Sequence, residues 1–191
     1  MTLAWDEVDL AQFPGRDLVP QLTRLADYVA HWADRTPAAL ADKAGEVSRT
    51  YAQLDQDITA CARALQAVGV VAGDRVAMLT DPRPEFLTVL AALGRVGAVW
   101  VGLNPAYTFA ELEHVLADAK PRVAITLGSH RGVEIAAEFA ELAKANAVER
   151  TVVLDQESSA NLLGWADFLA HGSQTELDWV EVSAVDPALI E

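Results

Sequence analysis

Residues 73–108 read GDRVAMLTDPRPEFLTVLAALGRVGAVWVGLNPAYT. Two apolar runs, 76–79 and 99–103, flank a segment in which apolar side chains recur at helical spacing from Phe86 to Val96. Both runs are apolar at nearly every position, which is typical of parallel strands that are covered by helices on both faces. The stretch therefore predicts one complete βαβ unit.

The unit recurs in the sequence that follows. A capping box of Thr108 and Glu111 predicts the start of a helix, and a strand is predicted at residues 123–127. A further helix over about 132–147 leads to a strand at 151–154. The predicted strands start near residues 75, 98, 122 and 151. This spacing indicates successive βαβ units with right-handed crossovers, so we predict the α/β class, with a mostly parallel sheet and helices on both faces.

The residues before this stretch predict a helix, a β-hairpin and a second helix. Apolar side chains recur at helical spacing over residues 21–35, and two short strand patterns flank a Gly-containing turn in residues 38–50. Thr50 and Gln53 form another capping box, and Gly69 is suited to the end of the helix that it starts. These elements extend the α/β body toward the N-terminus.

Two segments of the chain differ in pattern. Residues 1–20 show no sustained period, and we interpret them as an N-terminal arm that Trp5, Leu10 and Phe13 could pin to the body. Residues 21–191 are interpreted as a single subdomain of a larger fold. The domain prediction is therefore an arm followed by one α/β subdomain.

The sequence ends on an apolar run that has only begun. A short helix is predicted at 162–170, followed by a mostly polar segment in which Trp179 and Val182 are the expected anchors. Asp186 then opens an apolar strand, and the sequence stops at Glu191. A strand that is opened and not completed predicts that the sequence is the N-terminal part of a longer chain.

Composition and charge exclude several function classes. The 28 acidic residues outnumber the 14 lysines and arginines, and the formal net charge of −14 would repel nucleic acid and anionic membrane surfaces. The N-terminus lacks the basic and apolar regions of a signal peptide, and no apolar run approaches membrane-spanning length. We therefore expect a cytoplasmic protein without nucleic-acid or integral membrane contact.

The residue types that ligate metals are scattered along the chain. Cys61, the only cysteine, lies on the apolar side of a predicted helix and is expected to be a buried, inert thiol. The four histidines do not lie at metal-ligand spacing from one another or from the cysteine: His31, His114, His130 and His171. No metal site is predicted.

Four motifs occur in a fixed order in and just after residues 73–108. They are Gly-Asp-Arg-Val at 73–76, Pro-Glu-Phe at 84–86, Ala-Leu-x-x-x-Gly-Ala-Val at 92–99 and Leu-Asn-Pro-x-Tyr-Thr-x-x-Glu-Leu at 103–112. Together they resemble the N-terminal region of acyl-CoA synthetases, the fatty-acid and other carboxylate–CoA ligases of the adenylate-forming, AMP-binding superfamily. The resemblance extends from about Leu22 to the last residue.

The resemblance implies a two-step reaction for the full-length enzyme. A carboxylic acid, by overall resemblance a fatty acid, reacts with ATP to give an acyl-adenylate and pyrophosphate. The thiol of coenzyme A then displaces AMP. The implied cofactors are ATP, Mg²⁺ and coenzyme A.

The resemblance also implies where the chemistry lies. In the family, the strand that starts at Asp-Pro-Ala leads into a Ser/Thr/Gly-rich phosphate loop that ends in a lysine, and residues 1–191 contain no such loop. We therefore predict no catalytic residue in this chain, no cofactor bound to it and no activity of the chain alone. Its expected partner is the remainder of the same polypeptide, with a homodimer as a further possible assembly.

One loop is a candidate for a coenzyme A contact: Asn104, Pro105, Ala106 and Tyr107. It follows the C-terminal end of a predicted parallel strand, where open α/β sheets place their ligands. In many relatives a basic residue after the Asn-Pro pair can approach the coenzyme A nucleotide, and this chain has Ala106 there. The alternative is that Asn104 and Pro105 only shape a turn.

Two other functions stay open on the sequence alone. A stand-alone flavodoxin- or receiver-like domain would bind a small ligand or a protein, with Asp81 and Asp155 as acidic groups at strand ends. It would leave the predicted hairpin at 38–50 and the unfinished last strand unexplained. An association module is the other alternative, because an edge strand can pair with another chain.

Overall fold

The computed structural model describes residues 22–183 and 186–190. Its helices are α1 (Leu25–Arg35), α2 (Tyr51–Ala67), α3 (Pro84–Val96), α4 (Phe109–Ala119), α5 (Ala136–Ala145) and α6 (Trp165–His171). Its strands are β1 (Leu40–Ala44), β2 (Val47–Thr50), β3 (Arg75–Leu79), β4 (Val99–Leu103), β5 (Val123–Thr126), β6 (Ser129–His130), β7 (Val133–Glu134), β8 (Arg150–Val153), β9 (Leu163–Gly164) and β10 (Leu189–Ile190). The arm at residues 1–20 and its boundary with the body lie outside the described residues and stay a prediction.

A parallel sheet forms the centre of the described fold. Its six strands lie in the order β10-β4-β3-β5-β8-β9, and each neighbouring pair is parallel. Val76 of β3 lies opposite Trp100 of β4 on one side and opposite Val123 of β5 on the other. The predicted α/β class and mostly parallel sheet are confirmed. The predicted hairpin is present as β1 paired antiparallel with β2.

Alternate positions along the strands pack against two different helix layers. Val76 and Met78 of β3 are buried with residues of α1, α2, α3 and α6, whereas Ala77 and Leu79 are buried with residues of α4 and α5. The strand is apolar at every central position because both of its faces are covered. Removing this apolar surface from water is the main favourable contribution to folding.

Capping boxes start α2 and α4 where the sequence predicts them. The Thr50 hydroxyl accepts from the Gln53 backbone N at 3.3 Å, and Gln53 Oε1 accepts from the Thr50 N at 2.9 Å. Thr108 and Glu111 make the same exchange at 3.4 and 2.7 Å. α2 ends before Gly69, whose φ of 92° favours glycine because it has no Cβ.

The segment after β5 differs from the prediction. The sequence predicts a helix from about residue 132, but residues 129–134 form a tight antiparallel hairpin of β6 and β7, and α5 begins only at Ala136. Arg131 and Gly132 occupy the turn with φ of 50° and 79°, as in the two-residue turns that suit antiparallel strands. Arg-Gly is a weaker turn signal than Asn-Gly, and the helical spacing that starts at Ile135 conceals it.

The short edge strand β9 is a second difference from the prediction, which gives a helix over 162–170. Leu163 and Gly164 instead pair with β8, and α6 follows at Trp165. A Cβ at Gly164 would lie 2.8 Å from the carbonyl oxygen of Gln156, so this close approach of two backbone segments requires glycine.

Residues 176–183, called the strap below, lie between α6 and β10 in the sequence. The side-chain amide of Gln66 exchanges two hydrogen bonds with the backbone of Asp178, at 2.7 and 3.0 Å. Arg24, just before α1, donates from Nη1 to the carbonyl oxygen of Val180 at 2.7 Å. The strap is therefore fixed to both α2 and the start of α1.

Arg95 of α3 links the strap to the interior. Its guanidinium is fully buried and donates to the carbonyl oxygen of Asp55 at 3.2 Å, to the Thr59 hydroxyl at 2.5 Å and to the Asp55 carboxylate. The ring centroid of Trp179 lies 4.8 Å from Arg95 Cζ. A buried charge requires such partners, and the predicted anchor Trp179 thus contacts the body through a cation–π pair.

Candidate functional site

The carboxyl ends of the parallel strands meet at one edge of the sheet, called the C-terminal edge below. Asp81 lies shortly after β3, Asn104 follows β4, and Gly128 and Asp155 lie just beyond the ends of β5 and β8. Open α/β sheets bind ligands at this edge, where the strand ends and the following helix starts leave a crevice. The candidate site is therefore built from these loops.

Asn104 shapes the loop for which a coenzyme A contact is predicted. Its Oδ1 accepts from the Ala106 backbone N at 2.9 Å, and its carbonyl oxygen accepts from the Tyr107 N at 2.9 Å. Asn104, Ala106 and Tyr107 are exposed, and Pro105 is half-buried. The side chain of Asn104 thus forms an Asx turn, while the coenzyme A contact stays a prediction.

The same loop presents no charged side chain to a phosphate group. Ala106 ends in a methyl group, and the amide oxygen of Asn104 is directed to the turn. Tyr107 is 43% exposed, and its aromatic ring with a polar tip suits packing against a partner surface. Anion binding needs convergent donors or a cation, so we assign no cofactor phosphate to this loop.

Thr108 and Glu111 close the loop and begin α4. The Thr108 backbone N and hydroxyl donate to Glu111 Oε2 at 2.7 and 2.8 Å. These hydrogen bonds, chiefly the backbone one, lower the pKa of the Glu111 carboxyl from its ordinary value because they favour the ionised form. The carboxylate is engaged in the helix start and is not suited to accept a proton from a substrate near neutral pH.

A polar cluster at the C-terminal edge is absent from the sequence prediction. Asp81 Oδ2 lies 3.1 Å from His130 Nδ1, and Arg83 Nη1 lies 3.8 Å from Asp155 Oδ2. Asp155 Oδ1 also accepts from the Gly128 backbone N at 2.5 Å. Residues distant in sequence meet here because β3, β5 and β8 are neighbours in the sheet.

This cluster holds loops together. Arg83 donates from Nε to Glu85 Oε2 at 2.8 Å in addition to its contact with Asp155, so its charge is shared between two carboxylates. Asp81 and Asp155 are recognisable from the sequence as strand-end acids, but each contacts a different side chain, His130 and Arg83 respectively. Receiver chemistry requires its acids and a lysine in one group, and this arrangement does not provide that group.

The isolated thiol of Cys61 has no catalytic environment. Its side chain is fully buried in α2, and burial raises the pKa of the thiol, an effect to which the Asp57 carboxylate adds. The burial that the sequence predicts for this thiol is confirmed. Among the described residues no group of three His, Cys, Asp or Glu side chains could hold a metal ion. In the same part of the chain, no helix has both the length and the apolar character of a membrane span.

Comparison with known proteins gives one consistent family. The model of the family described as AMP-binding enzyme matches residues 29–190. The chain is 39% identical over 106 residues to a feruloyl-CoA synthase of Amycolatopsis sp, which covers 56% of this chain and 22% of that protein. It is 31% identical over 149 residues to a salicyl-AMP ligase / salicyl-S-ArCP synthetase of Mycobacterium tuberculosis. This alignment covers 78% of this chain and 26% of that protein. The chain thus spans about a quarter of the length of these curated relatives.

The architecture is shared with a solved structure. The anthranilate CoA ligase AuaEII in complex with anthranoyl-AMP superposes with a TM-score of 0.74 at 21% identity, covering 89% of this chain and 32% of that chain. At this identity the likeness establishes the fold alone. It matches the N-terminal part of such ligases, and it leaves the flavodoxin- or receiver-like alternative without support.

Proposed function

Since the chain belongs to the AMP-binding enzyme family, we propose that it is the N-terminal part of an acyl-CoA synthetase. The proposed enzyme joins a carboxylic acid to ATP with release of pyrophosphate and then transfers the acyl group to the thiol of coenzyme A with release of AMP. ATP, Mg²⁺ and coenzyme A are its proposed cofactors. The observation that carries the proposal is the 39% identity to a protein named feruloyl-CoA synthase.

In this proposal the described residues supply a scaffold. β10 runs parallel to β4, with Leu189 opposite Trp100 and Ile190 opposite Val101. A segment that continues the strand would emerge at the C-terminal edge, beside the Asn104 loop and the polar cluster. We propose that the remainder of the polypeptide packs on this edge and that its residues bind the nucleotide, while the present loops form one wall of the site.

Two classes of acid are candidates for the acyl group. Overall resemblance to fatty-acid CoA ligases favours an aliphatic acid. An aromatic acid is the second candidate, because feruloyl-CoA synthase and salicyl-AMP ligase are both among the relatives at 30% identity or more. The two candidates share the carboxylate that reacts with ATP and differ only in the pocket that must accept the acyl chain.

The proposal is tested on the longer polypeptide that begins with this chain. With ATP, Mg²⁺ and coenzyme A, we expect AMP formation that depends on a carboxylic acid, and ferulate, salicylate and dodecanoate distinguish the two acid classes. A hydroxamate trap without coenzyme A should capture the activated acyl group of the preferred acid. A folded longer polypeptide that forms no AMP with any of a broad panel of acids would contradict the proposed function.

A further inference from the structure

An apolar groove of about 700 Å³ opens at the N-terminal edge of the sheet, opposite the candidate site. It is lined by the segments that lead into β3 and β4, by the start of α1, by α3 and by the strap. Leu25 and Leu189 line it while they are 47% and 45% exposed. Large apolar side chains that are gathered and left open in one groove indicate a surface that another segment covers.

Gly94 of α3 keeps part of this groove open. It lines the groove, and a Cβ built at this position would meet nothing within 4 Å. Glycine inside a helix costs about 1 kcal/mol relative to alanine, and no neighbouring atom of residues 22–183 or 186–190 requires that cost here. The open space beside Gly94 leaves room for a methyl group and for part of a segment that packs against α3.

We propose that residues 1–21 of this chain occupy the groove. Residues 23–25 line it, so the preceding residues arrive directly at its end. This segment carries large apolar side chains that could fill such a groove, among them Leu3, Trp5, Val8, Leu10 and Phe13. Phe13 precedes Leu22 by few enough residues that an extended chain, at about 3.3 Å per residue, places its ring anywhere within roughly 30 Å of Leu22.

The direction of the chain excludes the sequence after β10 as the immediate occupant. From Leu189 to Ile190 the backbone follows β4 from Trp100 to Val101, which is away from the N-terminal edge. A second copy of the chain is disfavoured by electrostatics, because each copy carries a formal charge of −14. The N-terminal segment meets neither objection, since it is covalently attached beside the groove.

The proposal is tested by tryptic cleavage after Arg16 in the full 191-residue chain. A synthetic peptide of residues 1–21 gives the rate for an undocked segment. We expect cleavage in the intact chain to be at least tenfold slower than in the peptide, because a docked segment cannot enter the protease. In Gly94→Phe the new ring fills the groove, and the rate should return to within about twofold of the peptide. The matched control Gly94→Ala should retain the protection.

A double variant in the segment itself, Trp5→Ala with Phe13→Ala, alters none of the described residues and should also abolish the protection. Cleavage of the unaltered chain at the peptide rate would overturn the proposal. So would protection that persists in both Gly94→Phe and the double variant. Protection that appears only at concentrations where sedimentation shows a dimer would assign the groove to a second copy and would equally overturn it.

Discussion

The β3–α3–β4 unit and the strap are held in place by different interactions. In the unit, residues close in sequence bury apolar side chains on both faces of the sheet, and Val76, Leu93 and Val101 are at most 1% exposed. The strap is fixed by polar contacts to distant residues and by Trp179, whose side chain is still 48% exposed. The difference indicates that local apolar pattern builds the sheet, whereas a few long-range polar contacts position the segment that leads into β10.

Substitution in the β3–α3–β4 unit should lower the free energy of unfolding more than substitution elsewhere in this comparison. Leu93→Ala removes from α3 a side chain that is buried between helices and sheet, and we expect a loss of about 3 kcal/mol in the free energy of unfolding. Chemical denaturation measures it. Leu40→Ala is the matched control, because Leu40 is 63% exposed, and it should change stability by less than about 0.5 kcal/mol. Equal losses in the two variants would contradict the role assigned to the unit.

Substitution in the strap should have a smaller and local effect. Trp179→Ala removes the cation–π contact with Arg95, and we expect a loss of about 1 kcal/mol. Hydrogen exchange should increase in residues 176–183 while the amides of α3 keep their protection. Trp179→Phe keeps an aromatic face, so its stability should lie between that of Trp179→Ala and that of the unaltered chain. A loss as large as that of Leu93→Ala would mean that the strap is part of the core.

Substitution of Glu111 at the start of α4, the helix that follows the unit, should change the stability least, and only at low pH. The pKa of Glu111 is lowered in the folded state, so its contribution to stability is present above the ordinary value of 4.5 and is lost as the pH falls below it. Glu111→Gln keeps the geometry of the box, as Gln53 shows in α2, but cannot titrate. The unaltered chain should therefore lose more stability than Glu111→Gln on acidification from pH 6 to pH 3. Identical acid profiles would contradict this assignment.

The same contrast explains which features the sequence could predict. The parallel strands and both capping boxes depend on residues within one or two helical turns of each other, and they are confirmed. The hairpin turn at Arg131 and Gly132 was concealed by a neighbouring helical pattern. The contact of Asp81 with His130 requires the order of β3 and β5 in the sheet, which a single sequence does not encode locally.

The candidate loop shows the same limit on prediction. Its place at the carboxyl end of β4 follows from the apolar pattern, and the turn-forming role of Asn104 follows from its residue type. In the proposed function, a contact of this loop with coenzyme A depends on atoms that the proposed remainder of the polypeptide contributes. In the same proposal that remainder lines the acyl pocket, so assays of the proposed longer polypeptide decide between aliphatic and aromatic acids.

We propose that this chain forms the scaffold of an adenylate-forming ligase and carries none of the groups that react. The most direct test is ATP–pyrophosphate exchange by residues 1–191 alone, with Mg²⁺ and with ferulate, salicylate or dodecanoate. We predict no exchange above the rate without protein, and clear exchange by the longer polypeptide with its preferred acid. Acid-dependent exchange catalysed by the 191 residues alone would contradict the account.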